Sequence, residues 1–277
     1  MYRRKSYNRP QNNFGRRPGR RRSLSSMLLI FLVVGGYSLI KYFSSSQVNE
    51  ITGEKQYVSI SPQQEVALGI QSAPSMIQQY GGLHPDQNAQ ELLDRVGERL
   101  VNSTIVRQSG YIYDFHLLAD ERVVNAFALP GGQVFITAAL YARLRNEHQL
   151  AGVLGHEIAH VIHRHGAERI ASMELTQGLT GAAVIASGDY TTAQAAQMIG
   201  NLVNMKYGRD QELESDDWGV RLMIEAGYDA YELISVMDIL EEASGGNRVP
   251  EFQSSHPSPE NRREKIREAI ENYKNQY

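Results

Sequence analysis

From Pro62 onward the chain changes its hydrophobic rhythm several times, and each rhythm predicts an element. Ser61 before Pro62 opens a helical pattern that Gly81-Gly82 closes. A second helix is predicted from Asp86 to Leu100, where Leu92, Leu93, Val96 and Leu100 recur at helical spacing. The period then drops to two: Tyr111 to Leu118, Val123 to Pro130 and Gly132 to Leu140 read as three short strands, with Pro130-Gly131-Gly132 as the turn between the last two. A long amphipathic helix follows, Glu147 to Met173, whose inward face is Leu150, Val153, Leu154, Ile158, Val161 and Ile162. The Ala- and Gly-rich stretch from Leu175 to Val203 reads as packed helices or a mobile flap, its apolar run being far too short to span a bilayer. Helices from Asp210 to Ala226 and from Ala230 to Ala243 come next, and a last one is expected to start at Ser258-Pro259 with Ser258 as N-cap. Three strands ahead of a long helix give an α+β plan, mostly helical, with a small sheet beside that helix.

Upstream of Pro62 the pattern is different. Arg3, Arg4, Lys5, Arg9, Arg16, Arg17 and Arg20 to Arg22 crowd a polar segment that lacks the apolar residues of a core. Met27 to Phe43 is apolar except for Lys41 and sits at the lower edge of what spans a bilayer. The expected layout is a basic cytoplasmic tail over 1–26, a single transmembrane anchor over 27–43, a polar stalk over 44–61 and one folded domain over 62–277. Basic flanking residues place the N-terminus in the cytoplasm and the domain across the membrane. A cleaved signal peptide is the rival reading, disfavoured by the lack of a small-residue cleavage site near Lys41-Tyr42-Phe43.

The 277 residues carry a formal charge of -3, so with the basic tail set aside the remainder is acidic, which argues against nucleic acid as a partner. The tail suits anionic lipid headgroups instead. There is no cysteine, which excludes a disulfide framework, a thiol nucleophile and a thiolate metal site.

Within the long helix stands His156-Glu157-Ile158-Ala159-His160. Residues four apart share a helix face, so both imidazoles reach one Zn²⁺, and Glu157 is placed to take a proton from water. The motif is embedded in apolar sequence, where two histidines and a glutamate without partners would be costly. A third ligand is needed. Position 166 is Gly, so a histidine ten residues after His156 is not there to supply it. Glu212, Glu214, Asp216 and Asp217 offer carboxylates on a later helix; Glu212 and Asp216 share a face, so that one can ligate while the other orients a ligand histidine.

These residues carry a resemblance. HEIAHVIHRH, then ELESD with Trp218-Gly219-Val220, then AGYDA, together with Asn125 to Thr137 and His256-Pro257-Ser258-Pro259-Glu260-Asn261-Arg262, resemble the Ste24-like M48 family of zinc metallopeptidases over roughly residues 60 to 270. The likeness is to its compact bacterial periplasmic members and the related mitochondrial inner-membrane quality-control protease. It implies a zincin-like (gluzincin) fold, one Zn²⁺ held by His156, His160 and Glu212, Glu157 activating water, Asp216 supporting a ligand histidine and His256 approaching the metal. It also implies an endopeptidase acting on unfolded or misfolded envelope and membrane proteins, with envelope-assembly or quality-control partners, in the inner membrane with the catalytic domain periplasmic. The lack of several long spanning segments separates the chain from the multi-span, prenyl-protein processing branch. His163 stands where the family is expected to have a small or apolar residue, leaving open a further contact near the metal, and Arg164-His165 resemble a structural pair. An extended substrate is expected to pair as a strand near Gly132 to Ile136. A zinc-containing holdase of the same fold and a membrane scaffold are the competing functions.

Overall fold

The computed structural model describes residues 24–180, 192–244, 251–257, 259 and 261–275. Local chemistry fixes most starts. Helix α1 spans Leu24–Ser44 and leads into a short antiparallel hairpin, β1 (Ser46–Val48) with β2 (Lys55–Tyr57). This hairpin lies within the stretch expected as a stalk, and it is docked: buried Asn49 and Gln56 donate to the carbonyls of Ile162 and His163. Helix α2 (Pro62–Gln79) opens with the predicted cap: the Ser61 hydroxyl accepts from the Gln64 amide at 3.3 Å and Gln64 Oε1 accepts from the Ser61 amide at 2.8 Å. Asp86 caps α3 (Gln87–Asn102) more simply, its carboxylate accepting from the Asn88 and Ala89 amides at 3.0 and 3.2 Å.

The sheet has the order β3-β5-β4, with β3 Asp114–Leu118, β4 Ala126–Ala128 and β5 Gln133–Thr137. β5 runs parallel to β3 and antiparallel to β4. The β4–β5 turn needs its glycines. Gly131 and Gly132 have φ of 85° and 113°, and a Cβ on Gly131 would stand 2.4 Å from Val66 Cα of α2. Because β5 is paired on both edges, residues 133–136 cannot receive a substrate strand as expected; β3 and β4 are the edge strands, and the outer side of β3 is taken by the Leu83 bridge and by Gln90, which leaves that of β4.

After a short α4 (Ala138–Tyr141), Asn146 caps α5 (Glu147–Ile162), in which every residue from Gln149 to Ile162 is buried. The expected single helix to Met173 is broken. Arg164 takes a left-handed φ of 57°, and α6 starts again at His165 and runs to Thr180. The break is held by tertiary bonds: Arg164 Nε donates to Glu65 at 2.7 Å and Nη2 to the Ile60 carbonyl at 2.7 Å.

Helix α7 (Thr192–Val203) flanks residues 181–191 of the Ala/Gly-rich stretch, which lie outside the described residues. Helices α8 (Arg209–Glu225) and α9 (Glu232–Ser244) match the predicted pair. Residues 245–250 lie outside the described residues, and α10 (Glu251–Ser255) follows them. The last helix, α11, runs Arg262–Lys274 with Asn261 at its N-cap position, so it starts later than expected; Ser258 lies outside the described residues. Among the described residues no helix is long and apolar enough to cross a membrane.

The core surrounds α5. α3 and β3 to β5 contribute Leu93, Val96, Leu100, Phe115 and Ile136, and α8, α9 and α11 contribute Val220, Leu222, Leu233, Leu240, Ile266 and Ile270. A smaller cluster joins α2, the sheet, α6 and α7 through Leu68, Met76, Phe127, Phe135, Ile170 and Ile199. Where α5 crosses α8, two glycines face each other: a Cβ on Gly155 would lie 3.3 Å from the Gly219 carbonyl, and one on Gly219 would lie 3.3 Å from the His156 amide. Replacing Gly219 with Val should force this crossing apart and destabilise the domain by about 1–3 kcal/mol, the usual cost of overpacking. A denaturant melt checks it, and unchanged stability would mean that the crossing has slack.

Candidate metal centre

Helix α5 presents His156 and His160 one turn apart, and α8 presents Glu212 against both. His156 Nε2 and His160 Nε2 are 3.1 Å apart, and Glu212 oxygens lie 3.6 Å from the first and 3.5 Å from the second. Tetrahedral ligands bonded to zinc at about 2.0–2.1 Å would be separated by roughly 3.3 Å. His256, just after α10, completes the group, with Nδ1 2.9 Å from Glu212 Oε1 and 3.3 Å from His156 Nε2. One donor atom from each of His156, His160, Glu212 and His256 falls within 4.8 Å of the others. All four residues are buried.

Several polar atoms here make no hydrogen bond. Both Glu157 oxygens and His256 Nε2 are buried without a partner, and they face one another at 3.7 Å. Nitrogens converging on nitrogens beside a carboxylate is a costly arrangement for the protein alone and a favourable one around a cation. The residues therefore fit a metal ion, and an N/O donor set of two or three imidazoles and a carboxylate suits zinc.

The surroundings orient the donors. Asp216, one turn after Glu212, accepts from His156 Nδ1 at 2.9 Å, which leaves Nε2 free to ligate. Asp216 is itself gripped by Arg262, whose Nε and Nη2 donate to its two oxygens at 2.6 and 2.9 Å. Arg262 Nη1 also stands 3.3 Å from Glu212. One guanidinium thus serves two carboxylates. Behind His160, Tyr207 stacks with ring centroids 3.9 Å apart, and Phe252 stacks on His256 at 4.4 Å. The Tyr207 amide donates to the Ser255 carbonyl at 2.8 Å, which ties these covers together.

Charge states follow from this packing. For Glu212 and Asp216, burial favours the neutral acid, but His256 near the first and Arg262 on the second hold both carboxyls below their ordinary range. Burial raises Glu157 and lowers His160 well below the usual imidazole value. His156 is pulled down by burial, yet the hydrogen bond to Asp216 and the charge of Glu212 raise it overall. The site thus holds ionised Glu212 and Asp216 and a Glu157 that binds a proton more readily than an ordinary carboxyl.

The structure brings together His156, Glu157, His160, Glu212, Asp216 and His256. Two partners went unread in the sequence. Arg262 lay inside the His-Pro segment without a role, and His165 was read only as half of a structural pair with Arg164, on a helix expected to be continuous. The break at Arg164 returns it, so that His165 Nδ1 lies 2.8 Å from His160 Nδ1. His163 turns away from the centre toward Glu54 at 3.0 Å and Trp218.

A mostly helical domain with a small sheet beside a buried His/Glu cluster able to hold a metal ion is consistent with a zincin-like fold. Peptidase family M48 matches residues 87–270, more than half of the chain, and the chain belongs to that family. Family and cluster together support metalloendopeptidase activity. Curated relatives include the mitochondrial metalloendopeptidase OMA1 of Schizosaccharomyces pombe, 28% identical over 86% of this chain and 69% of the relative. The beta-barrel assembly-enhancing protease of Yersinia pestis is 28% identical over 86% of this chain and 50% of the relative, and that of Escherichia coli K12 is 30% identical over 62% and 37%. Apart from the fission-yeast protein, the chain thus spans half or less of these relatives.

Arg262→Ala should leave Asp216 buried and unpaired, destabilising the domain by about 3–5 kcal/mol, and should weaken zinc binding by roughly 10–100-fold. Thermal melts with and without zinc, alongside competition with a zinc chelator, check both effects. Wild-type zinc affinity in this variant would remove Arg262 from the account of the centre.

Proposed function

We propose that this chain is a membrane-tethered zinc endopeptidase that cuts unfolded or misfolded proteins. The observation that carries the reading is the convergence of His156, His160 and Glu212 beside a buried Glu157 whose oxygens have no protein partner. His156, His160 and Glu212 would hold one zinc ion, which would supply the positive charge that makes water more acidic and polarises a carbonyl. Glu157 takes the proton from the attacking water as the new C–O bond forms. It then delivers that proton to the leaving amine as the C–N bond breaks. Asp216, fixed by Arg262, holds His156 in the ligating tautomer. The unpaired edge of β4, Ala126–Ala128, offers the backbone groups an extended peptide needs.

His256 stands as a fourth donor, where a catalytic metal site keeps an open position for water or substrate, and Phe252 and Tyr207 stack on His256 and His160. This favours a resting form in which the His256 segment must move before substrate enters. A holdase reading draws on the same closure, but a holdase has no use for Glu157.

The tether is the apolar segment Met27 to Phe43, with the basic tail cytoplasmic and the domain in the periplasm. Supporting it, Leu32, Val33, Tyr37, Ile40 and Phe43 on α1 are 60%, 63%, 69%, 68% and 60% exposed, an apolar surface suited to lipid. The names of the relatives, a beta-barrel assembly-enhancing protease and a mitochondrial metalloendopeptidase, support proteolysis, and the first supports a link to the assembly of β-barrel proteins; a quality-control role is our extension of that reading.

The test is cleavage of unfolded casein by wild type and Glu157→Gln at matched zinc content. Wild type should cut, and the variant, still holding zinc, should lose at least about 100-fold in rate, the scale of general-base catalysis. If zinc-loaded wild type is silent, His256→Ala decides: cleavage in that background identifies a latent peptidase, and continued silence rejects the peptidase reading.

A further inference from the structure

The break between α5 and α6 gathers a second group of ligand-bearing side chains that the proposed reaction leaves unused. His163, His165 and Glu214 each offer one donor atom, and the three atoms lie within 4.8 Å of one another. The two imidazoles are 0% and 1% exposed, whereas Glu214 keeps 41% of its side chain in solvent. The group therefore has a buried wall and an open mouth. Glu54, with 45% of its side chain exposed, stands at the same mouth 3.0 Å from His163 Nδ1.

The state of His163 points to a ligand. With its Nδ1–H given to Glu54, Nε2 carries a lone pair, and that atom is buried without a hydrogen-bond partner. An imidazole held by a carboxylate at one nitrogen and bare at the other is the arrangement that metal-binding histidines adopt. On the other ring, His165 Nε2 faces Glu214 at 3.2 Å. We infer that His163, His165 and Glu214, with Glu54 at the rim, form a second site for a divalent cation of the zinc type.

His165 joins the two groups, its Nδ1 lying 2.8 Å from His160 Nδ1 while its Nε2 faces Glu214 at 3.2 Å. The second site has a carboxylate half open to solvent where the proposed central one has a buried carboxylate, so it is the weaker and fills only when zinc is in excess. This ranking rests on the proposed central site; the existence of the second site does not.

The test is metal content by mass spectrometry of the full 277-residue chain after dialysis against graded free zinc, for wild type, His163→Ala and Glu214→Gln. Wild type should take one zinc at low free zinc and a second at higher, while both variants keep the first and bind the second at least about tenfold more weakly, the lower end of what the loss of an outer partner costs a metal site. Should His163→Ala fail to fold, Glu214→Gln, altered at a half-exposed carboxylate, carries the test alone. A plateau at one zinc per chain, or a second zinc held by either folded variant as tightly as by wild type, overturns the inference. Failure of the proposed central site is read separately, as a first zinc that survives Glu212→Gln.

Discussion

Two glycines that face each other across α5 and α8 set the distance on which the rest of the molecule depends. With no side chain at Gly155 or Gly219, the two backbones approach until a Cβ on either would sit 3.3 Å from the other helix. At that separation Glu212 stands beside His156 and His160, and Asp216 meets His156. Ordinary helix pairs stand 8–10 Å apart, with side chains filling the gap. Here the gap is closed so that carboxylates can cross it. The sheet, α9 and α11 then enclose α5 on its remaining faces, which is why an amphipathic sequence ends up buried all round from Gln149 to Ile162.

Burying that helix also buries charge, and the structure answers with a short chain of partners. Arg262 from α11 clamps Asp216, Asp216 fixes His156, and Glu212 faces both histidines and Arg262. Each group has its orientation set by the next, so the metal-facing atoms are held before any ion arrives. Glu157 stands apart from the chain. Its oxygens have no donor, burial raises its proton affinity, and a group of that kind can take a proton and give it back.

The elements whose signals are local were legible in the sequence. Ser61, Asp86 and the α5 periodicity placed three helices, and the Pro130-Gly131-Gly132 turn placed the β4–β5 hairpin. The helix break at Arg164 was not, because it is imposed from a distance: Glu65 and the Ile60 carbonyl hold a residue that has no intrinsic taste for positive φ. Missing that break misplaced His165, and with it the contact between the two histidine groups. The position of β5 in the middle of the sheet was hidden for the same reason, since a strand pattern reports which faces are buried and says nothing of order. His156, His160 and Glu157 could be read from helix geometry alone. The choice of Glu212 over its acidic neighbours needed the resemblance, and Arg262 needed the packing of α11 on α8.

The account stands most directly on where a metal ion sits, and anomalous diffraction at the zinc edge, from crystals of the chain loaded with one equivalent of zinc, measures that. One peak within bonding distance of His156 Nε2, His160 Nε2 and a Glu212 oxygen is the predicted result. A peak bound by Glu214 in place of Glu212, or lying away from the α5–α8 crossing, would contradict it.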